Sequence, residues 1–184
     1  MTRLKRGSGR LYGVMLTLAA VVLLVDQLTK IWAVSALSTG ESVTAIPTLV
    51  RFRLLYNAGA AFSIGSGATW VFTLATAGAV VGILYAARRL TSRRWALVLG
   101  TLLGGTMSHL GDRLFRAPGF ARGHVVDFID YGPFVGNVAD IALFCGCAAL
   151  TLLCLRGVPL AKTPGEEPCP DVSTATSDST QPDD

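Results

Sequence analysis

The chain is 184 residues long, 51% hydrophobic and only 15% charged, with a mean hydropathy of +0.51. An ordinary water-soluble domain carries about a quarter of its residues as charges, so this composition excludes one and points to a protein of the bilayer. The formal charge of +4 conceals an acidic tail on a strongly basic body. In a membrane protein such basicity sets orientation, and nucleic acid is not an expected partner.

The chain opens with Arg3, Lys5, Arg6 and Arg10 ahead of an apolar run from Leu11 to Val34. That run is too long for the apolar part of a secretory signal peptide and lacks a convincing cleavage site, which predicts a retained span. Further runs at about 68–87, 95–110 and 138–155 come near the roughly 20 residues that a bilayer requires, giving four predicted transmembrane helices with the first at about 11–34. The third is short and interrupted by Gly100, Gly104 and Gly105, which let a neighbouring helix approach closely.

Basic residues divide into two groups. Arg3, Lys5, Arg6, Arg10, Arg88, Arg89, Arg93, Arg94, Arg156 and Lys162 fall on one side, and Arg51, Arg53, Arg113, Arg116 and Arg122 on the other. The positive-inside bias then places both termini in the cytoplasm and the loops 35–67 and 111–137 outside. In the first loop Val50, Phe52 and Leu54 alternate with Arg51 and Arg53, which predicts a strand and a small extracytoplasmic β-sheet. The second loop begins GDRLFR, where a short interfacial helix is expected before the extended HVVDFI segment.

The predicted fold class is therefore an all-α membrane protein, residues 1–162, with this small sheet added. Residues 163–184 hold Glu166, Glu167, Asp171, Asp178, Asp183 and Asp184 without a basic residue and are rich in Pro, Ser and Thr, so a disordered cytoplasmic tail is expected. Cys145, Cys147 and Cys154 lie in one apolar run and Cys169 stands alone, a pattern of neither disulfides nor zinc. The cysteines of the run are expected to act as small packing residues.

Chemistry concentrates in Gly123–Asp140, GHVVDFIDYGPFVGNVAD, where Asp127, Asp130 and Asp140 sit in apolar surroundings. Carboxylates there are costly unless they serve a function. A continuous helix would hold Asp127 and Asp140 about 20 Å apart, whereas the turn at Gly132-Pro133 permits contact. Asn137 is placed to cap the fourth helix with Asp140 at its third position, close to a capping box. Two carboxylates in contact cannot both ionise cheaply, so one keeps its proton. The ionised member can then activate water while the protonated member polarises a carbonyl. Asp130 is expected at the surface.

Other polar groups have simpler readings. Asp26 and Lys30 have the favourable i, i+4 order of a helical ion pair. Asp112 and Arg113 end the third helix, as a surface ion pair or loop anchor. His109 with Asp112, and His124 with Asp127, share an i, i+3 spacing, but without an HExxH-type signature no metal is expected and hydrogen bonding near the interface is the expected histidine role. Two rival functions are a small transporter with an intramembrane ion path and a serine enzyme using Ser63 or Ser66.

Five stretches together resemble the lipoprotein signal peptidase (signal peptidase II) family. They are DQLTK at Asp26–Lys30, NAGAAFS at Asn57–Ser63, Gly104-Gly105 followed by Asp112-Arg113, VVDF at Val125–Phe128, and NVAD at Asn137–Asp140. The resemblance covers about Leu11 to Leu155 and implies a membrane aspartyl endopeptidase that removes the signal peptide of a prolipoprotein, cutting before a cysteine that carries a diacylglyceryl group. It implies Asp127 and Asp140 as the catalytic pair, with Asp26, Lys30, Asn57, Gly59, Asp112, Arg113 and Asn137 supporting them or contacting substrate. It further implies no cofactor, the bacterial plasma membrane as location and lipidated prolipoprotein and membrane lipid as partners. The sequence does not give the oligomeric state, and a monomer is expected. Four alternating spans place the site near the outer leaflet. The chain departs from the family's usual Gly-Asn at Ser108-His109 and from its common Phe at Gly136.

Overall fold

A computed structural model describes the backbone of residues 3–59 and 68–160 and the side chains of 9–59 and 68–160. The predicted tail at 163–184, Lys162, Ser63, Ser66 and the side chains of Arg3, Lys5 and Arg6 lie outside the described residues. The elements in chain order are α1 (Arg3–Leu37), β1 (Val43–Ile46), β2 (Val50–Asn57), α2 (Thr69–Ala87), α3 (Arg93–Phe115), β3 (Val125–Asp130), β4 (Val135–Gly136) and α4 (Val138–Leu155).

The bundle has its apolar residues outside. Gly9–Leu37, Thr69–Ala87 and Val138–Leu155 are long and apolar enough to cross a membrane. Leu24, Leu28, Ile31, Leu74, Val81 and Phe144 are nevertheless exposed on the protein surface. In water such a surface would be untenable, whereas hydrocarbon solvates it at no cost.

The third predicted span behaves differently. α3 runs beyond both ends of the expected 95–110 and carries Arg93, Arg94, Asp112 and Arg113, so its apolarity falls short of the other three. Its setting explains the composition, because α1, α2 and α4 all pack on α3 and protein covers most of the residues that lipid covers elsewhere. The interrupting glycines sit at these contacts. A Cβ on Gly100 would stand 2.7 Å from the Met15 carbonyl oxygen, and one on Gly104 2.6 Å from that of Ala19. Only glycine allows α1 this close. The helix begins with Ser92 Oγ accepting from the Trp95 N–H at 3.3 Å and continues through GDRLF to Phe115. The expected interfacial helix is thus the last turn of α3, and no separate helix follows before β3 among the described residues.

The strands form one antiparallel sheet in the order β1-β2-β3-β4. The alternation read in β2 holds from Val50 to Leu54, with Arg51 and Arg53 exposed, and breaks at an irregularity between Phe52 and Leu55. Leu55 then pairs with Asp127 and Asn57 with Val125. Phe128 and Ile129 pack on Ala33 and Leu37 of α1, and Trp32 meets Phe52 edge-on at 5.6 Å. Burying Phe128 contributes about 1.5–3 kcal/mol, and this second apolar cluster fastens the sheet to the end of α1. Cys145, Cys147 and Cys154 are exposed rather than packed in the bundle. A small apolar side chain is as well solvated by lipid as by a protein interior, so the sequence pattern does not separate the two settings.

Candidate active site

The site forms where α4 starts. Asn137 is extended and caps that helix, its Oδ1 accepting from the Asp140 N–H at 3.0 Å. The Asp140 Oδ2 accepts in return from the Asn137 N–H at 2.9 Å, completing the expected capping box. The amide nitrogen of Asn137 remains to donate elsewhere. It donates to Asp127 Oδ1 at 2.6 Å, so one residue holds both carboxylates, Asp127 through its side chain and Asp140 through its backbone N–H. Asn57 Nδ2 donates to the other Asp127 oxygen at 3.1 Å, while its Oδ1 accepts from the Gly59 N–H at 3.0 Å.

Asp127 is 2% exposed. Burial, and next the charge of Asp140, push its carboxyl up to about 6, against the amides of Asn57 and Asn137 and the His109 imidazole, which favour ionisation. Asp130 shows the opposite. The Gly132 N–H at 2.8 Å and Arg53 Nε at 2.6 Å hold its carboxyl below the usual range, and it anchors the β3–β4 turn away from the pair. Burial, and then Asp140, raise the nearby Tyr131 phenol.

Asp127 and Asp140 line one cavity of about 590 Å³ together with Asn57, Gly59, His109 and Arg113. Val125, Phe134, Ile141 and Phe144 supply an apolar wall. A cavity of this size fits an extended peptide segment or acyl chain, and its two carboxylates are able to exchange protons with a bound amide.

Beneath the cavity lies a buried ionic network. Lys30 Nζ stands 2.6 Å from Asp26 Oδ2 and 2.7 Å from Asp112 Oδ2, with all three side chains at most 1% exposed. Asp26 also accepts from Ser108 Oγ and, through Oδ1, from the Ala139 N–H at 2.7 Å. Asp112 accepts further from Gln27 Nε2 at 3.0 Å and Arg116 Nε at 2.6 Å. The predicted Asp26–Lys30 pair exists, but it is two-thirds of a triad linking α1 to α3. Asp112 is a member of that triad and not part of a surface pair with Arg113. Arg113 instead donates to the Gly59 carbonyl at 2.6 Å and lies 5.4 Å from the Phe72 ring, fixing the chain after β2 beside the cavity.

Of the residues predicted for the site, Asn57, Gly59, Arg113, Asp127 and Asp140 line the cavity, Asn137 bonds to Asp127, and Asp26, Lys30 and Asp112 form the buried network. Gln27 and Arg116 were not singled out, although Gln27 lies within DQLTK, and Ser108 was noted only as a departure from the family pattern. His109 faces Asp140 and not Asp112, with Nε2 3.3 Å from Oδ1 in an alignment too poor for a hydrogen bond. Its i, i+4 spacing to Arg113 was the available signal, since those two positions share a helix face. Among the described residues no three His, Cys, Asp or Glu side chains group in a way that could hold a metal ion.

Fold and site together define a helical membrane protein with two carboxylates converging on an apolar-walled cavity. Residues 18–156 match the sequence profile of the family described as "Signal peptidase (SPase) II". Over 171 residues the chain is 47% identical to a lipoprotein signal peptidase of Mycolicibacterium smegmatis, covering 90% of this chain and 72% of that protein. A lipoprotein signal peptidase of Mycobacterium leprae is 49% identical over 144 residues, 78% of this chain and 72% of its own length. A solved structure described as a bacterial membrane enzyme at 2.3 Å superposes with a TM-score of 0.68 at 25% identity, over 84% of this chain and 95% of that one. The chain belongs to the signal peptidase II family, and is accordingly a peptidase of the bacterial membrane.

Proposed function

We propose that the chain is an aspartyl endopeptidase that removes the signal peptide from diacylglyceryl-modified prolipoproteins, cutting just before the lipidated cysteine. The observation that carries this reading is the double hold of Asn137 on Asp127 and Asp140 at one cavity. Below pH about 6 Asp127 keeps its proton, and Asp140 serves as base through Oδ1, the oxygen that the helix cap leaves free. Asp140 takes a proton from water as the water oxygen bonds to the scissile carbonyl carbon. Asp127 donates its hydrogen to the carbonyl oxygen, whose developing charge it stabilises. On collapse the C–N bond breaks, the amine leaves with the proton held by Asp140, and the proton on the oxygen returns to Asp127. No cofactor enters these steps.

The remaining residues support the pair. Asn57 and Asn137 orient Asp127, Arg113 and Gly59 shape the cavity rim, and Asp26, Lys30 and Asp112 fix α1, α3 and the start of α4 in register. The apolar wall at Ile141 and Phe144 accepts the lipid chains and the signal helix from the bilayer. All four helices cross the plasma membrane, with α3 sheltered by the other three. Both termini are cytoplasmic, the β-sheet and site lie near the outer leaflet, and the monomer suffices. Relatives named lipoprotein signal peptidase support the substrate class.

The decisive experiment incubates purified protein with a diacylglyceryl-modified precursor and with the same precursor unmodified. Cleavage of the first alone is expected, with Asp127→Asn and Asp140→Asn each inactive yet as heat-resistant in detergent as the parent. Near-normal turnover in either variant removes the dyad. Equal cleavage of both precursors removes the lipid requirement.

A further inference from the structure

His109 is, with Tyr131, a titratable side chain of the cavity that the mechanism above leaves without a task. Its Nε2 is buried and makes no hydrogen bond, although a buried polar nitrogen without a partner costs about 1–3 kcal/mol. The atom it faces is Asp140 Oδ1, 3.3 Å away. The other Asp140 oxygen already accepts from the Asn137 N–H, so the imidazole addresses the oxygen that remains free for water.

The charges around this contact come from every neighbouring element. β3 contributes Asp127, α4 contributes Asp140, α3 itself contributes Arg113 one turn along, and Tyr131 closes the turn side. Lys30 of α1 also acts on Asp140 but is bound between Asp26 and Asp112, and Arg113 is engaged by the Gly59 carbonyl. The imidazole is thus the basic group that stands directly against Asp140.

We propose that His109 is a positioning residue for the reaction: its imidazolium holds the negative charge on Asp140 Oδ1 and so assigns the pair's single proton to Asp127. This assignment rests on the aspartyl reading above. Two carboxylates that share one proton distribute it according to their surroundings, and a cation on one side only breaks the symmetry. Enzyme with a charged His109 keeps Asp140 as base down to lower pH than enzyme without it.

The test compares pH profiles of kcat/KM for cleavage of a diacylglyceryl-modified precursor by the wild type, His109→Asn, His109→Gln and His109→Lys. The two neutral variants are expected to move the acid limb up by about one pH unit, to lower kcat, and to leave KM within about twofold because the imidazole acts through Asp140. His109→Lys, a cation that does not titrate in this range, is expected to keep the acid limb of the wild type. Two different amides guard against one failing to fold. Acid limbs that coincide in wild type, His109→Asn and His109→Gln overturn the proposal, whatever uniform loss of rate accompanies them. Asp127→Asn in the same assay separates the two levels. An inactive Asp127→Asn with coinciding limbs removes the role of His109 alone, whereas an active one removes the aspartate pair and this role with it.

Discussion

The side-chain amide of Asn137 donates to Asp127 Oδ1 at 2.6 Å. A residue that reads as an ordinary helix cap thereby ties a strand to the helix that follows it, and ties the two carboxylates to each other.

Asn137→Ala is expected to act on stability and on rate together. Losing the cap costs about 1 kcal/mol, and leaving buried Asp127 short of a donor costs about 1–3 kcal/mol more. The apparent Tm in detergent falls, and kcat/KM drops roughly 10–100-fold as the pair loses alignment. A variant that loses Tm but keeps its rate shows that Asn137 serves the helix only.

The raised Asp127 carboxyl sets a pH dependence whose sign can be worked out. Its folded value of about 6 lies above the ordinary 3.8, so between these values the folded protein binds more protons than the unfolded chain. Stability is fully present below about 4 and is lost as pH rises through about 6. On the aspartyl reading, activity follows the same proton. The singly protonated pair is depleted above about pH 6, where kcat/KM should fall about tenfold per unit. Thermal unfolding and precursor cleavage measured over pH 4.5–8, roughly the window that brackets these values, check both slopes. A basic limb placed well above neutrality contradicts the assignment.

Lys30→Met tests the buried network. The change leaves Asp26 and Asp112 without the ammonium between them, and uncompensated buried charges cost about 3–5 kcal/mol. Folded yield and detergent Tm are expected to collapse with activity. A triple replacement, Lys30→Met with Asp26→Asn and Asp112→Asn, should recover part of the yield because no buried carboxylate is then stranded and only the part-exposed Arg116 loses its partner. Equal loss in both proteins places the defect in packing rather than in charge.

How much of this was legible in the sequence depended on the range of the interaction. The starts and ends of α2 and α4 were readable because apolar run length is a local property, and so was the capping box, which needs only Asn137 and Asp140 three residues apart. The alternation in β2 was local as well. α3 was underestimated because hydropathy reports contact with lipid, and α3 is covered by protein. The Lys30–Asp112 contact spans 82 positions, and no local pattern encodes it. The partner of His109 was not legible for the same reason. Its spacing to Asp112 was visible in one dimension, whereas its approach to Asp140 depends on the packing of α3 against α4.

The bond from Asp26 to the Ala139 N–H gives α4 a second fastening at its first turn, from a helix 113 positions earlier in the chain. With Asn137 holding the same turn from the other side, α4 has no free rotation about its own axis at this end. Asp140 is therefore aimed before any substrate arrives. On the aspartyl reading, the ordering that sets two carboxylates at one cavity is completed once, when the bundle folds, and is not repeated in each catalytic cycle.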